Sequence, residues 1–147
     1  MPSSELVKIC IKLSKYKKEN KELLSYLLFE SNYEPDYIAN IKSEIDQMFT
    51  ETKTGNLYFF KKHIRKILRY TNKFIRYSGQ KQTEVELRIY FCLKLKQCGV
   101  PLQSNTALTK ILDGQMLKIN KAIITLHEDL QHDYLKEISS IPEPVPN

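Results

Sequence analysis

Residues 57–78 read LYFFKKHIRKILRYTNKFIRYS, and this stretch decides the fold. Its apolar side chains recur every three or four residues, which is the period of an α-helix with one face turned toward a core. The members of this apolar stripe are Leu57, Phe60, Ile64, Ile67, Leu68, Thr71 and Ile75. Gly79 follows directly, and glycine is the residue that most often ends a helix. The sequence therefore predicts one long helix from Leu57 to Ser78.

The same helix carries a second stripe, which is basic and lies on roughly the opposite side from the apolar stripe. Six cations, called the basic stripe below, recur at helical spacing. They are Lys62, Arg65, Lys66, Arg69, Lys73 and Arg76. Phe59, Tyr70 and Tyr77 fall on a flank between the two stripes. The helix is thus expected to pack by one face and to present like charges on the other.

All of the excess positive charge lies in this region. The formal net charge is +6, yet no Asp or Glu occurs between Thr52 and Thr83, where nine Lys or Arg residues do. The segments before and after this window are each slightly acidic. Like charges at such spacing repel by roughly a few tenths of a kcal/mol per pair. Either carboxylates from other helices or an anionic partner would relieve that repulsion.

Outside this window the chain also favours helices, because only 4 Gly occur and most of the Pro residues lie near the ends. Helical spacing is evident in the first third of the chain, before and after the turn at Pro35. A last helix is predicted to begin near Asn105, with a possible interruption at Gly114, and to continue to about Ile138.

Two segments are ambiguous, because Val7–Leu13 and Val85–Leu95 alternate in the way that strands do. A helix is favoured for both. Thr83 and Glu86 have the spacing of a capping box, and Gly99 lies where a helix of ordinary length would end. A two-stranded sheet on its own would also be only marginally stable.

The prediction is an all-α protein, a compact helical bundle or short helical array of five to seven helices. A single domain is expected over residues 1–138, followed by a Pro-rich disordered tail over residues 139–147. The helices Leu57–Ser78 and Thr83–Cys98 should form its centre. The expected core residues are Leu24, Leu27, Leu28, Ile41, Ile45, Ile64, Leu68, Ile75, Ile89, Leu93, Ile123, Leu126 and Leu130.

No motif for catalysis, cofactor binding or metal binding is recognisable. His127 and His132 are five residues apart, so they point in different directions, whereas the helical zinc motif needs a spacing of four. His127 is expected to be half-buried and His132 solvated. His63 lies among cations with no nucleophile motif to serve. The three Cys form no Cys-x-x-Cys pair and predict buried, reduced thiols. We expect no catalytic residue, no cofactor and no metal.

The N-terminus lacks the features of a signal peptide, and no apolar run approaches the ~20 residues that span a bilayer. A cytoplasmic protein without a transmembrane segment is therefore expected. The leading functional expectation is a non-enzymatic binding protein. It would use the basic face Lys62–Arg76, with Tyr70 and Tyr77 beside it, toward an acidic protein or nucleic acid.

Two alternatives stay open at this point. Carboxylates from other helices could neutralise the basic stripe internally, which would leave a helical module with no role in nucleic-acid binding. An enzyme could also be assembled from residues too dispersed along the chain to recognise. An anionic membrane surface is disfavoured, because the apolar face of the helix is needed for the core.

Three stretches form a recognisable set: KYKKENKELL at residues 15–24, KQTEVEL at residues 81–87 and LHEDL at residues 126–130. As a set they resemble a family of small, uncharacterised, helical proteins from Bacteroidetes-type bacteria. The resemblance covers most of the chain up to the Pro-rich tail, and it implies an all-helical bacterial protein. The family has no assigned activity, cofactor or site, so the resemblance implies no functional residue.

Overall fold

The computed structural model describes residues 1–142, and every regular element within that range is helical. The α-helices in this range are α1 (Ser3–Tyr16), α2 (Lys18–Ser25), α3 (Glu34–Thr50), α4 (Leu57–Ser78), α5 (Lys81–Lys96), α6 (Thr106–Ile123) and α7 (Glu128–Ser139). A π-helical segment, Tyr26–Glu30, follows α2. The predicted all-α class and the predicted number of helices are confirmed.

The chain divides into two compact units, residues 1–37 and residues 38 onward. In the first unit α1 and α2 pack against each other, and none of the residues of either helix is fully buried. The segment Val7–Leu13, which alternates like a strand, is helical as predicted. The single domain over residues 1–138 stays a prediction. Of the tail, Ser139 is the last residue of α7, and residues 143–147 lie outside the described range.

Two residues of the first unit were wrongly predicted to be buried in the core. Leu27 and Leu28 are 54% and 56% exposed, whereas Tyr26 is buried. These residues lie in the π-helical segment, whose wider turn changes which side chains share a face. The Tyr26 ring lies 4.7 Å from the Tyr37 ring, and its hydroxyl donates a hydrogen bond of 2.6 Å to Glu34.

Helix α4 has the predicted bounds and is capped at both ends. At its start the Asn56 side-chain oxygen accepts hydrogen bonds from the backbone N–H groups of Tyr58 and Phe59, at 3.0 and 3.2 Å. At its end Gly79 adopts a φ of 68°, and its N–H donates to the Ile75 carbonyl at 2.9 Å. The buried residues of α4 are Phe60, Ile64, Ile67, Thr71 and Ile75.

Helix α5 is the buried centre of the second unit, as predicted. Its buried residues point in nearly all directions around the helix, and they are Thr83, Val85, Leu87, Arg88, Ile89, Phe91, Cys92 and Leu95. The proposed capping box was wrong. The helix begins at Lys81, so Thr83 is already inside its first turn and is 1% exposed. Helix α5 therefore begins only two residues after Gly79.

The last predicted helix is two helices, so its expected continuation to Ile138 was wrong. Helix α6 passes through Gly114 without interruption and ends at Ile123. Hydrogen bonds that involve side chains stabilise the break. The Gln131 amide donates to the Leu126 carbonyl at 2.7 Å, and His127 Nδ1 accepts from the Asp129 N–H at 3.2 Å. His127 therefore caps α7 and is exposed, where a half-buried position was expected.

Most of the remaining core predictions hold. The expected residues that are buried are Ile41, Ile45, Ile64, Ile75, Ile89 and Ile123. Those that are half-buried are Leu24, Leu68, Leu93, Leu126 and Leu130. In the first 142 residues no helix is both long enough and apolar enough to cross a membrane.

Helix α3 is joined to α5 through Asp46. Both carboxylate oxygens of Asp46 lie 2.6 Å from the Tyr90 hydroxyl, which donates to them, and Lys94 Nζ lies 3.0 Å away. Partial burial acts to raise the pKa of Asp46, but the hydrogen bonds from Tyr90 and Lys94 and the charge of Lys94 outweigh it, so the pKa is lowered. The Phe49 and Phe91 rings also pack between these helices, 5.9 Å apart.

The packing of α4 predicts the cost of truncating its apolar face. Ile64 is completely buried, so Ile64→Ala should lower the free energy of unfolding by roughly 2–5 kcal/mol. Leu68→Ala should cost less, because Leu68 is only half-buried. Urea denaturation measures both. Leu117→Ala, at a residue 58% exposed, is the control, and an Ile64→Ala loss no larger than that control would contradict the face assignment.

The Asp46 cluster predicts a dependence of stability on pH. A carboxyl whose pKa is lowered by folding stabilises the protein above its ordinary value of 3.8, and this contribution is lost as the pH falls through the folded value. Asp46→Asn should therefore lower the melting temperature at pH 7, and the difference from wild type should shrink in acid. Glu44→Gln, an exposed change on the same helix, is the control. A difference that is independent of pH would contradict this role of Asp46.

Candidate nucleic-acid interface

The basic stripe lies on the outer face of α4. At about 100° of arc per residue, the six cations are centred almost directly opposite the five buried side chains of the helix. Lys73 is half-buried. The other five, Lys62, Arg65, Lys66, Arg69 and Arg76, are exposed. The structure therefore brings all six predicted residues onto one side, along about 21 Å of helix.

Carboxylates of the second unit do not neutralise the exposed part of the basic stripe. Ion pairs within this unit join Lys42, Lys81, Arg88 and Lys94 to Asp or Glu side chains. Within residues 38–142, none of Lys62, Arg65, Lys66, Arg69 and Arg76 lies within 4.0 Å of an Asp or Glu oxygen. These five like charges of α4 are thus without local compensation from the carboxylates of residues 38–142.

An aromatic row borders the basic stripe along the second half of α4. The Phe74 ring lies 4.6 Å from the Tyr70 ring and 5.3 Å from the Tyr77 ring. Lys73 Nζ lies 5.0 Å from the Phe74 ring centre and 5.8 Å from that of Tyr70, within range of a cation–π interaction. Tyr70, Phe74 and Tyr77 are half-buried. We call these three residues the aromatic row.

The sequence predicted only part of this row. Tyr70 and Tyr77 fall where expected, but Phe74 between them was missed, although its spacing of four from Tyr70 and three from Tyr77 is a usable signal. Phe59, expected on the same flank, pairs with Tyr58 at 5.4 Å near the start of the helix. Both are well exposed, at 61% and 67%. Two exposed aromatic rings therefore lie near the start of α4, and the aromatic row lies along its second half.

Sequence reasoning also missed the buried cation of this unit. Arg88 lies in the middle of α5, and its side chain is 7% exposed. Its Nε donates to Glu84 at 2.9 Å, and its Nη1 donates to Asn72 at 2.8 Å and to Gln115 at 2.9 Å. An Arg placed between the apolar residues Leu87 and Ile89 was the available signal. Arg88 thereby joins α5 to α4 and α6 close to the C-terminal end of the basic stripe.

The histidines and cysteines do not form a reactive cluster in the described part of the chain. His63 Nε2 lies 3.0 Å from the Met48 carbonyl, and His132 is exposed. All three cysteines are free. Burial raises the pKa of Cys92 to about 12, whereas Cys10 is exposed and the expectation of buried thiols was wrong for it. Among residues 1–142, no group of three or more His, Cys, Asp or Glu is placed to hold a metal ion.

A cavity of about 480 Å³ lies between the end of α3, the following loop and α5. It contains the Asp46–Lys94 pair, three threonines and Cys98, and no histidine lines it. Burial raises the pKa of the Cys98 thiol. These groups supply neither an activated nucleophile nor a histidine base.

Comparison with known proteins identifies no relative of this chain. No protein-family model, no curated protein and no solved structure matches the chain.

Proposed function

We propose that this protein is a non-enzymatic nucleic-acid-binding protein that holds a strand along the outer face of α4. The observation that carries the proposal is the exposed basic stripe, five of whose cations are unpaired within residues 38–142. Lys and Arg bind phosphates and release the counterions that surround them, which is the main source of affinity in sequence-independent binding. Binding would also remove the repulsion between neighbouring cations of the helix.

Dimensions and chemistry favour a nucleic acid over an acidic protein. The stripe is about 21 Å long, which is the length of about six stacked nucleotides of one strand at 3.4 Å each. A nucleic-acid strand supplies such a regular line of charge without a particular sequence, whereas a protein must arrange several carboxylates to do so. The exposed Tyr58–Phe59 pair lies where unpaired bases could stack.

Single-stranded nucleic acid is the preferred form of the ligand in this proposal. Stacking on aromatic side chains requires bases that are not paired with a second strand. The exposed Tyr58 and Phe59 rings lie near the start of the basic stripe, so phosphates and bases of one strand could be bound side by side. Affinity should fall steeply with salt and depend only weakly on base sequence.

The proposal has three further parts, which rest on the sequence. A cytoplasmic location is proposed from the cysteine content, which predicts no disulfide framework. Membership of the Bacteroidetes-type bacterial family rests on the three quoted stretches. The absence of catalysis rests on the lack of a nucleophile or cofactor motif.

The test is a titration of fluorescent single-stranded DNA and RNA, followed by anisotropy at several salt concentrations. We expect binding whose logarithm falls linearly with the logarithm of salt, with a slope of about −0.7 per neutralised phosphate on a single strand. The triple variant Lys62→Glu, Arg65→Glu, Arg69→Glu should abolish binding at moderate salt. Its fold is expected to be retained, because all three side chains are exposed.

A matched control separates the basic stripe from net charge. A second triple variant changes the same number of exposed cations outside α4 and should bind DNA and RNA nearly as well as wild type does. Its substitutions are Lys110→Glu, Lys121→Glu and Lys136→Glu. Equal losses in the two triple variants would mean that only overall charge matters. Flat anisotropy of the wild-type protein at low salt would overturn the proposal. Capture of an acidic protein through the same face, with no binding of DNA or RNA, would replace it.

A further inference from the structure

A small cavity of about 350 Å³ opens where α4 ends and α5 begins. Four cations line it, and the single carboxylate among its lining residues is that of Glu84. The cations are Arg76, Lys81, Arg88 and Lys118. They come from three helices, and Lys118 of α6 is far in sequence from the other three, so the fold rather than one local motif gathers this charge. Arg76 is also the last member of the basic stripe.

Arg88 gives the cavity a fixed donor. Its side chain is more than nine-tenths buried, and the hydrogen bonds of Nε and Nη1 to Glu84, Asn72 and Gln115 hold the guanidinium plane in place. Nη2 donates to no residue within 38–142, and solvent can reach it. A guanidinium that is held by its other nitrogens and has one open N–H edge is suited to an anion.

The carboxylate of Glu84 is already engaged. It accepts from Arg88 Nε at 2.9 Å and pairs with Lys81 Nζ at 3.3 Å. Arg76 and Lys118 form no ion pair within residues 38–142, and both are exposed. One carboxylate therefore cannot balance four cations, and the charge that remains is directed at the cavity.

The start of α5 adds to the same field. Its preceding residue, Gln80, makes no side-chain cap, and the first turn of this 16-residue helix lines the cavity through Lys81 and Glu84. The N-terminal end of a helix carries partial positive charge. This contribution supplements the four cations, which carry the argument.

We infer that this cavity binds the phosphate group of a phosphomonoester, as found in a mononucleotide or at the end of a nucleic-acid strand. A phosphomonoester bears nearly two charges and three terminal oxygens, so Arg76, Arg88 and Lys118 can each bind one. A carboxylate has only two oxygens and one charge. The volume lies at the small end of ligand pockets and leaves space for a sugar attached to the phosphate.

Arg76 links the cavity to the basic stripe. A strand bound along α4 would reach the cavity at the C-terminal end of the helix, where a terminal phosphate could enter. This strand-end form of the inference rests on the proposed function. The mononucleotide form does not, because it requires only the cavity.

Two pairs of probes distinguish these forms. Adenosine 5′-monophosphate is compared with adenosine by calorimetry at low salt, and a 5′-phosphorylated oligonucleotide is compared with its 5′-hydroxyl counterpart by anisotropy. We expect the monophosphate to bind and adenosine not to bind. The terminal phosphate should strengthen binding of the oligonucleotide by about tenfold, the effect of one charge-assisted hydrogen bond.

The variants assign the effect to the cavity. Arg88→Met is the obvious change, but it would remove the donor that joins Glu84, Asn72 and the buried Gln115 and could unfold the protein. Lys118→Ala is therefore the principal variant, because this exposed residue lines the cavity and lies outside the basic stripe. Lys118→Ala should weaken the preference for the phosphate, because Arg76 and Arg88 remain, and should leave binding of the 5′-hydroxyl strand unchanged. Lys121→Ala, an exposed change on the same helix, should alter neither.

Failure of the cavity and failure of the proposed function give different results. The triple variant of Lys62, Arg65 and Arg69 should no longer bind the oligonucleotide but should still bind the monophosphate. If wild type binds the 5′-hydroxyl strand but neither pair of probes shows a phosphate preference that depends on Lys118, the cavity inference is wrong and the proposed function stands. If only the monophosphate binds, the proposed function is wrong and the cavity site stands.

Discussion

The burial of one face of α4 is the constraint on which the rest of the second unit depends. Phe60, Ile64, Ile67 and Ile75 are each at most 6% exposed, and they are the apolar side chains that α4 offers to the interior. Because an α-helix has a fixed period, turning these residues inward turns the cations outward. The same packing that stabilises the helix therefore also leaves the basic stripe exposed to solvent.

Arg88 is the polar counterpart of this apolar packing. Its hydrogen bonds reach α4 through Asn72 and α6 through Gln115, so three helices share one buried guanidinium. Removing a partner from such a buried network costs more than the net value of any one bond, because the remaining polar groups lose their solvation without replacement. Arg88 thus fixes the relative position of the helices around the cavity, at the end of α4 where the basic stripe terminates.

The features that could be predicted from sequence are those determined by neighbouring residues. The bounds of α4 follow from its two stripes and from Gly79. The helical state of Val85–Leu95 was predicted from the helix length that Gly99 ends, although the capping box that also supported it was wrong. The break between α6 and α7 could not be predicted, because hydrogen bonds of His127 and Gln131 produce it without Gly or Pro. The Arg88 network and the cavity depend on Gln115 and Lys118, which are far from Arg88 in the chain, so no local sequence pattern predicts them.

The central claim is that the outward face of α4 receives the phosphates of a nucleic-acid strand. Titration of ¹⁵N-labelled protein with a short 5′-hydroxyl oligothymidylate, followed by NMR, tests it directly at residue level. The account predicts that the largest changes in amide chemical shift map to Lys62–Arg76, while the amides of buried α5 change little. Binding whose shift changes map to α7 or to the first unit, with α4 unaffected, would contradict it.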